Sequence, residues 1–168
     1  MLSEKMQDAL NDQLNFELIS SYLYMSMIAY FESESLEGMA NWMTIQTEEE
    51  RAHAQKFFDF INERDGRVIL KDINTLKTEW KSPLDAFEDS LEHERKVTDR
   101  INKLVDLAIE ESDHATNSFL QWFVDEQVEE EANVKAIIDK LKFVKDSPVA
   151  VFMMDQELGG RTAPPAEE

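Results

Sequence analysis

Residues 67–81 read RVILKDINTLKTEWK, and this stretch decides how the chain is threaded. It shows no apolar repeat at steps of three and four, so it is not an amphipathic helix. Its apolar run, Val68-Ile69-Leu70, is too short to be an independent strand. Long segments with helical patterning flank it on both sides. Fifteen residues are too many for a tight turn between antiparallel helices. They are enough to run the length of a bundle and bring the chain back to the end it left, which makes the flanking helices parallel. Farther out the breaks are short, near Ser35 and at Ser112-Asp113, and each joins an antiparallel pair. The expected fold is all-α, a four-helix bundle with one long crossover.

Caps and breakers bound the helices. Ser3 is placed to cap α1, residues 4–32. Ser35 is placed to cap α2, which runs to Asp65-Gly66, with Gly66 suited to a left-handed closing position. Ser82-Pro83-Leu84-Asp85 opens α3: the serine caps, proline takes the first helical position, and Asp85 follows the cap by three. The fourth helix, α4, covers 114–145, and Ser147-Pro148 starts a short C-terminal α5, 148–158, stopped by Gly159-Gly160. Residues 1–160 thus form one domain, and the polar segment 161–168, with two prolines, is a flexible tail.

Composition narrows the function. The 168 residues include only 4 glycines and 4 prolines, too little turn punctuation for many short strands. Acidic residues outnumber basic ones 36 to 17, a net charge of −19, which excludes nucleic acid and anionic membranes as partners and attracts cations. Cysteine is absent, so thiolate zinc sites, iron–sulfur clusters and thiol catalysis are excluded. No membrane-length apolar run occurs, and residues 1–9 (MLSEKMQDA) lack a signal-peptide core; a soluble, cytoplasmic protein is the expectation.

The chemistry lies in the core-facing stripes. They read Leu10, Leu14, Glu17, Ser21, Tyr24, Ile28, Phe31 on α1; Leu36, Met39, Met43, Gln46, Glu50, His53, Phe57, Phe60 on α2; Leu84, Phe87, Leu91, Glu94, Thr98, Ile101, Val105 on α3; and Leu120, Phe123, Gln127, Glu130, Val134, Ile137, Leu141, Val144 on α4. Each is apolar at both ends and polar at its middle. With 36 acids in the chain, one glutamate in one stripe means little. The same interruption in four registers means that the polar residues meet at one level. Glu17 and Glu50 each sit roughly 21 Å along their helices. Clustered buried carboxylates repel one another unless they protonate or bind cations. Four carboxylates and one imidazole suit iron, manganese or zinc, and offer no soft ligand for copper(I). Glu17 and Glu50 are separated by 33 residues, as are Glu94 and Gln127, the spacing of a duplicated helical hairpin carrying two adjacent metal sites. His93 and His114 fall off the stripes and read as surface residues.

These residues resemble those of the non-haem ferritins of bacteria and archaea. The resemblance rests on Glu17, Tyr24, Glu50-Arg51-Ala52-His53, Glu94 and Gln127-Val128-Glu129-Glu130, and spans residues 3 to about 158. It implies a ferritin-like bundle in which Glu17, Glu50 and His53 hold one iron and Glu50, Glu94 and Glu130 a second, Glu50 bridging. Gln127 would sit beside the second iron as a hydrogen-bond partner. Glu49, Glu126 and Glu129, with Glu130, resemble a third iron site. Tyr24 would support the first site and donate electrons, with Trp122 a second candidate donor. The Gln-x-x-Glu motif departs from the two-histidine pattern of bacterioferritin and rubrerythrin, and Arg51 stands where bacterioferritins carry a haem-ligating methionine, so no haem is expected. The implied function is iron storage with ferroxidase activity. Fe²⁺ is oxidised by O₂ or H₂O₂ and mineral is deposited inside a 24-subunit homo-oligomeric shell, closed or more open, with α5 grouped around four-fold channels. The rivals are a di-iron peroxidase or oxygenase that stores nothing, and a non-catalytic divalent-metal buffer.

Overall fold

The computed structural model describes residues 2–74 and 77–163. Among these, five helices form: α1 Glu4–Ser33, α2 Glu37–Glu63, α3 Pro83–Glu110, α4 His114–Val144 and α5 Pro148–Leu158. Residues 75–76 of the crossover and 164–168 of the expected tail lie outside the described residues. No helix among the described residues is long and apolar enough to cross a membrane.

Four caps form from side chains whose oxygens accept free first-turn N–H groups. Ser3 accepts from Met6, Ser82 from Asp85, Asp113 from Thr116 and Ser147 from Ala150. Two expectations are corrected. Ser35 does not cap α2; it lies at φ 59° and ends α1. The left-handed residue closing α2 is Asp65, at φ 58°, not Gly66. Both belong to one device, since α1, α2 and α3 all terminate through a backbone bond spanning five residues: Leu36 N to Phe31 O, Gly66 N to Ile61 O and Asp113 N to Ala108 O. A left-handed Ser35, Asp65 or Ser112 precedes each donor. Gly66 is glycine for clearance, because a Cβ there would lie 2.9 Å from Ile61 Cγ2.

With its own cap missing, α2 borrows one. Asp155 of α5 is buried and its Oδ1 accepts from Met39 N at 2.8 Å. The approach is close: a Cβ on Gly38 would lie 1.7 Å from Asp155 O. Met154 and Leu158 bury the inner face of α5, while Val149, Phe152 and Met153 remain exposed on the outer one.

The ends of the helices fix the topology. Ser3 Oγ donates to Glu111 at 2.6 Å, so α1 starts where α3 ends. Arg64 reaches Asp113 at 3.1 Å, so α2 and α3 finish together and run parallel, as the crossover requires.

The crossover is held by its main chain. Gln7, Asn11 and Asn15, four residues apart on α1, meet alternate residues of the extended segment. Gln7 Oε1 accepts from Arg67 N; Asn11 donates to Arg67 O and accepts from Ile69 N; Asn15 donates to Ile69 O and accepts from Lys71 N, all at 2.7–2.9 Å. The two repeats match in length, since four helical residues rise about 6.0 Å and two extended residues about 6.6 Å. A helix face thus serves as the partner strand for a segment that has none.

Two apolar compartments result. One holds Tyr24, Met27, Phe31, Met39, Met43, Phe87, Val134 and Leu141; the other holds Met6, Leu10, Leu14, Phe57, Ile61, Ile101, Leu104, Leu120 and Phe123. Between them lies a layer of buried polar side chains from all four long helices.

Candidate metal centre

Glu17, Glu50, Glu94 and Glu130 each keep 3% exposure or less, and His53 keeps 4%. A carboxylate oxygen of Glu17, one of Glu50 and a ring nitrogen of His53 all lie within 4.8 Å of one another. His53, Glu126 and Glu130 form a second such grouping. Glu50 Oε2 is 3.5 Å from His53 Nδ1. Glu17 Oε2 and Glu50 Oε2 are buried without a hydrogen-bond partner among the described residues. Acceptors that have lost water and gained no donor cost free energy in the metal-free protein, and a cation bound between them would remove that cost.

The electrostatics agree. Burial, then the neighbouring Glu50 charge, pushes the Glu17 carboxyl well above the usual carboxylate range. Burial, then Glu94 and Glu130, does the same to Glu50. Burial raises Glu94, and burial followed by the Glu94 charge raises Glu130 to about 8. At neutral pH the metal-free cluster therefore retains protons, which a divalent cation would displace.

Glu94 is oriented from two sides. The Tyr24 hydroxyl donates to Glu94 Oε1. Its single proton is then spent, so the 3.1 Å bond with Ser90 Oγ has the serine as donor. Gln127 Nε2 lies 3.2 Å from Glu94 Oε2, 3.3 Å from the Glu94 carbonyl and 3.4 Å from Thr98 Oγ1. Gln127 is thus placed as a hydrogen-bond partner. Tyr24, which the resemblance puts beside the first iron, bonds the carboxylate it assigns to the second. Trp122 meets His53 edge-on at 5.4 Å.

Of the residues matched to a third site, Glu126 joins a grouping, with His53 Nε2 at 3.9 Å. Glu49 is engaged elsewhere, its Oε2 accepting from Arg161 Nη2 at 2.6 Å. Glu129 is exposed.

His114 is exposed as expected, but His93 is buried, at 8% exposure. It packs on Phe16, with ring centroids 5.1 Å apart, and its Nε2 lies 2.7 Å from Ser20 Oγ. Ser20 donates its proton to Phe16 O at 3.0 Å, so His93 donates through Nε2–H and Nδ1 is bare. Burial, then the Lys96 charge, lowers the ring to about 4. The signal was present in sequence as the neighbouring register Ala86, Ser90, His93, Val97, Leu104, Ala108, all buried. The core face of α3 is wider than a single stripe. Gln13 and Gln46, which bond Glu17 and Glu130, and Ser90 and Thr98, which bond the Tyr24 hydroxyl and the Glu94 carbonyl, are neutral residues that no ligand motif singles out.

An antiparallel pair of helical hairpins with one crossover, enclosing buried carboxylates and one histidine, defines a four-helix carboxylate-bundle protein. Comparison with known families and structures agrees. The family described as "Ferritin-like domain" matches residues 7–144. A bacterial non-heme ferritin of Bacteroides fragilis (strain 638R) is 45% identical over 161 residues, covering 96% of this chain and all of its own. One from Staphylococcus aureus (strain MRSA252) is 43% identical over 162 residues, covering 96% and 98%. The open pore ferritin from the hyperthermophilic archaeon Archaeoglobus fulgidus superimposes with a TM-score of 0.95 at 50% identity, covering 96% of this chain and 100% of that one. Its engineered closed form gives 0.96 at 49% identity, covering 98% and 100%. The chain belongs to the ferritin family.

Proposed function

We propose that this protein takes up Fe²⁺ at a two-metal centre, oxidises it to Fe³⁺, and stores the product as mineral inside a shell of its own copies. The single observation that carries the reading is the pair of buried, partnerless oxygens on Glu17 and Glu50, grouped with His53. Glu17, Glu50 and His53 hold one substrate ion, and Glu50, Glu94 and Glu130 the other. Glu50 bridges, which keeps the two ions close enough to give up electrons together. Hard anionic oxygens favour the higher charge, so the ligand set lowers the potential of bound iron and drives oxidation. Two Fe²⁺ supply two electrons, which with two protons reduce one O₂ to H₂O₂. Tyr24 and Gln127 hold Glu94 in place, and the phenol of Tyr24 is a redox-active group hydrogen-bonded to a ligand. Glu126, with Glu49 and Glu129, provides a third position toward which product leaves.

Storage requires a container. The exposed apolar side chains of α5, with Ile69, Leu70 and Ile73 of the crossover, are surfaces suited to contacts between subunits. We infer a homo-oligomeric shell of 24 subunits, the assembly that the likeness to ferritin structures supports. The test is to load metal-free protein with Fe²⁺ without oxygen and then admit air. Oxygen uptake followed by electron-dense cores in negative stain is expected. Uptake without cores would indicate an oxidase that stores nothing, and no uptake a metal buffer. Glu50→Ala removes the bridge from both positions and should abolish fast oxidation while sparing assembly; fast oxidation persisting in that variant refutes the assignment.

A further inference from the structure

Two arginines reach the centre by the same route. Arg100 Nε donates to Gln13 Oε1 at 2.9 Å, and Gln13 Nε2 donates to Glu17 Oε1 at 2.7 Å. Arg161 Nη1 donates to Gln46 Oε1 at 3.0 Å, and Gln46 Nε2 donates to Glu130 Oε2 at 2.7 Å. Both glutamines are buried, at 1% and 0% exposure, and each precedes a cluster glutamate, Glu17 or Glu50, by four residues on its own helix. Each guanidinium is held by further contacts. Arg100 lies over the Phe16 ring at 4.3 Å and donates to Asp12 O at 2.9 Å. Arg161 lies over Trp42 at 4.4 Å and donates to Trp42 O at 3.2 Å and to Glu49.

A primary amide can face a carboxylate with either its NH₂ or its oxygen, and the two ends are nearly equal in shape. A guanidinium can only donate. It therefore commits the amide oxygen outward and the NH₂ inward, onto the carboxylate. The inward bond occupies one oxygen of the carboxylate and leaves the other for metal. At Glu17 the remaining oxygen is Oε2, the atom that is buried without a partner.

We propose that Arg100 and Arg161 are positioning residues that act through Gln13 and Gln46, each orienting one amide so that Glu17 and Glu130, one terminal ligand of each metal position, present a single free oxygen to the ion. This rests on the two-metal reading above. Without the arginine the amide can turn over, its oxygen then faces a carboxylate oxygen, and ligand geometry is lost at that position alone.

The test uses full-length protein stripped of metal and titrated anaerobically with Co²⁺, followed by calorimetry and by the visible absorption of the bound ion. Methionine retains the stem that packs on the aromatic ring, so Arg100→Met and Arg161→Met are the variants, with thermal melting and elution volume verifying that they fold and assemble. Each should weaken one of the two Co²⁺ positions by about tenfold or more and leave the other near wild type. Gln13→Leu should weaken the same position as Arg100→Met, and combining the two should cost no more than Gln13→Leu alone. The same holds for Gln46→Leu with Arg161→Met. Folded arginine variants that keep both affinities overturn the proposal, as do arginine and glutamine effects that multiply. If wild type binds no pair of Co²⁺ ions, or Glu50→Ala leaves both affinities intact, the two-metal reading itself fails and the relay falls with it.

Discussion

Replacing Glu50 by glutamine should stabilise the metal-free protein while removing its ability to be stabilised by metal. Glu50 is 1% exposed, and its Oε2 has no donor. An unsatisfied buried acceptor costs about 1–3 kcal/mol. The glutamine NH₂ would supply a donor beside the orphaned Glu17 oxygen, for a gain of about 2 kcal/mol at pH 8. In a chain of this length that is a rise in Tm of about 4–8 °C. The pH dependence has a definite sign. The Glu50 carboxyl is raised in the fold, so its contribution is fully present below the ordinary carboxylate range and is lost as pH rises through the raised value. Glutamine does not titrate. The variant should therefore melt close to wild type at about pH 5 and increasingly above it toward pH 8. Calorimetry of chelator-treated protein at several pH values and one scan rate measures the gap. Zn²⁺ should raise the wild-type Tm and leave the variant's nearly unchanged. A metal-free Glu50→Gln protein that melts below wild type at pH 8, or a gap that does not widen with pH, would refute the view that this layer is strained without a cation.

Other outcomes follow from features away from the ligands. His93 stays neutral in the fold down to about 4, whereas an unfolded imidazole protonates near 6.5. Wild type should lose about 3 kcal/mol between those values on that account, and His93→Gln should not. The stability difference between the two in urea should narrow as pH falls through this range; a constant difference would contradict the burial. Gly38→Ala would place a Cβ 1.7 Å from Asp155 O, lifting α5 and breaking the cap on Met39 N at a cost of about 3 kcal/mol. Faster hydrogen exchange along α5 and a lower Tm are expected, and unchanged exchange would disprove the docking. Asn11→Ala removes the bonds to Arg67 O and Ile69 N, about 2 kcal/mol in all. The Ile69 amide should exchange much faster while the mid-helix amides of α3 do not; equal protection in both proteins would show that the ladder does not hold the crossover.

The bundle was legible because long helices write their burial at a period that a sequence displays. Glu17, Glu50, Glu94 and Glu130 stood out as carboxylates at apolar positions, and all four are buried. His93 was missed because α3 buries two adjacent registers, so a one-stripe reading put a core residue on the surface. Ser35 and Asp65 were missed for a different reason. Serine is the favoured N-cap and glycine the favoured left-handed residue, but here a serine and an aspartate take left-handed angles, and the cap for α2 arrives from Asp155, more than a hundred residues later. No local pattern encodes a contact at that separation. Gln46 and Gln127 stand in the core-facing stripes, but Gln13 lies off the stripe of α1, and a neutral amide gives no sign that it or Gln46 bonds a carboxylate.

The ladder of Gln7, Asn11 and Asn15 leaves a degree of freedom in the crossover. What α1 grasps at residues 67, 69 and 71 is peptide N–H and C=O. Any residue with an amide hydrogen serves there, and proline alone is barred. Val68 packs on the second apolar compartment and Lys71 pairs with Asp12, but the outward side chains, Ile69 at 47%, Leu70 at 64% and Ile73 at 42% exposure, take no part in this attachment and are at liberty to be rewritten. A lineage could rewrite this strip without disturbing the buried carboxylate layer.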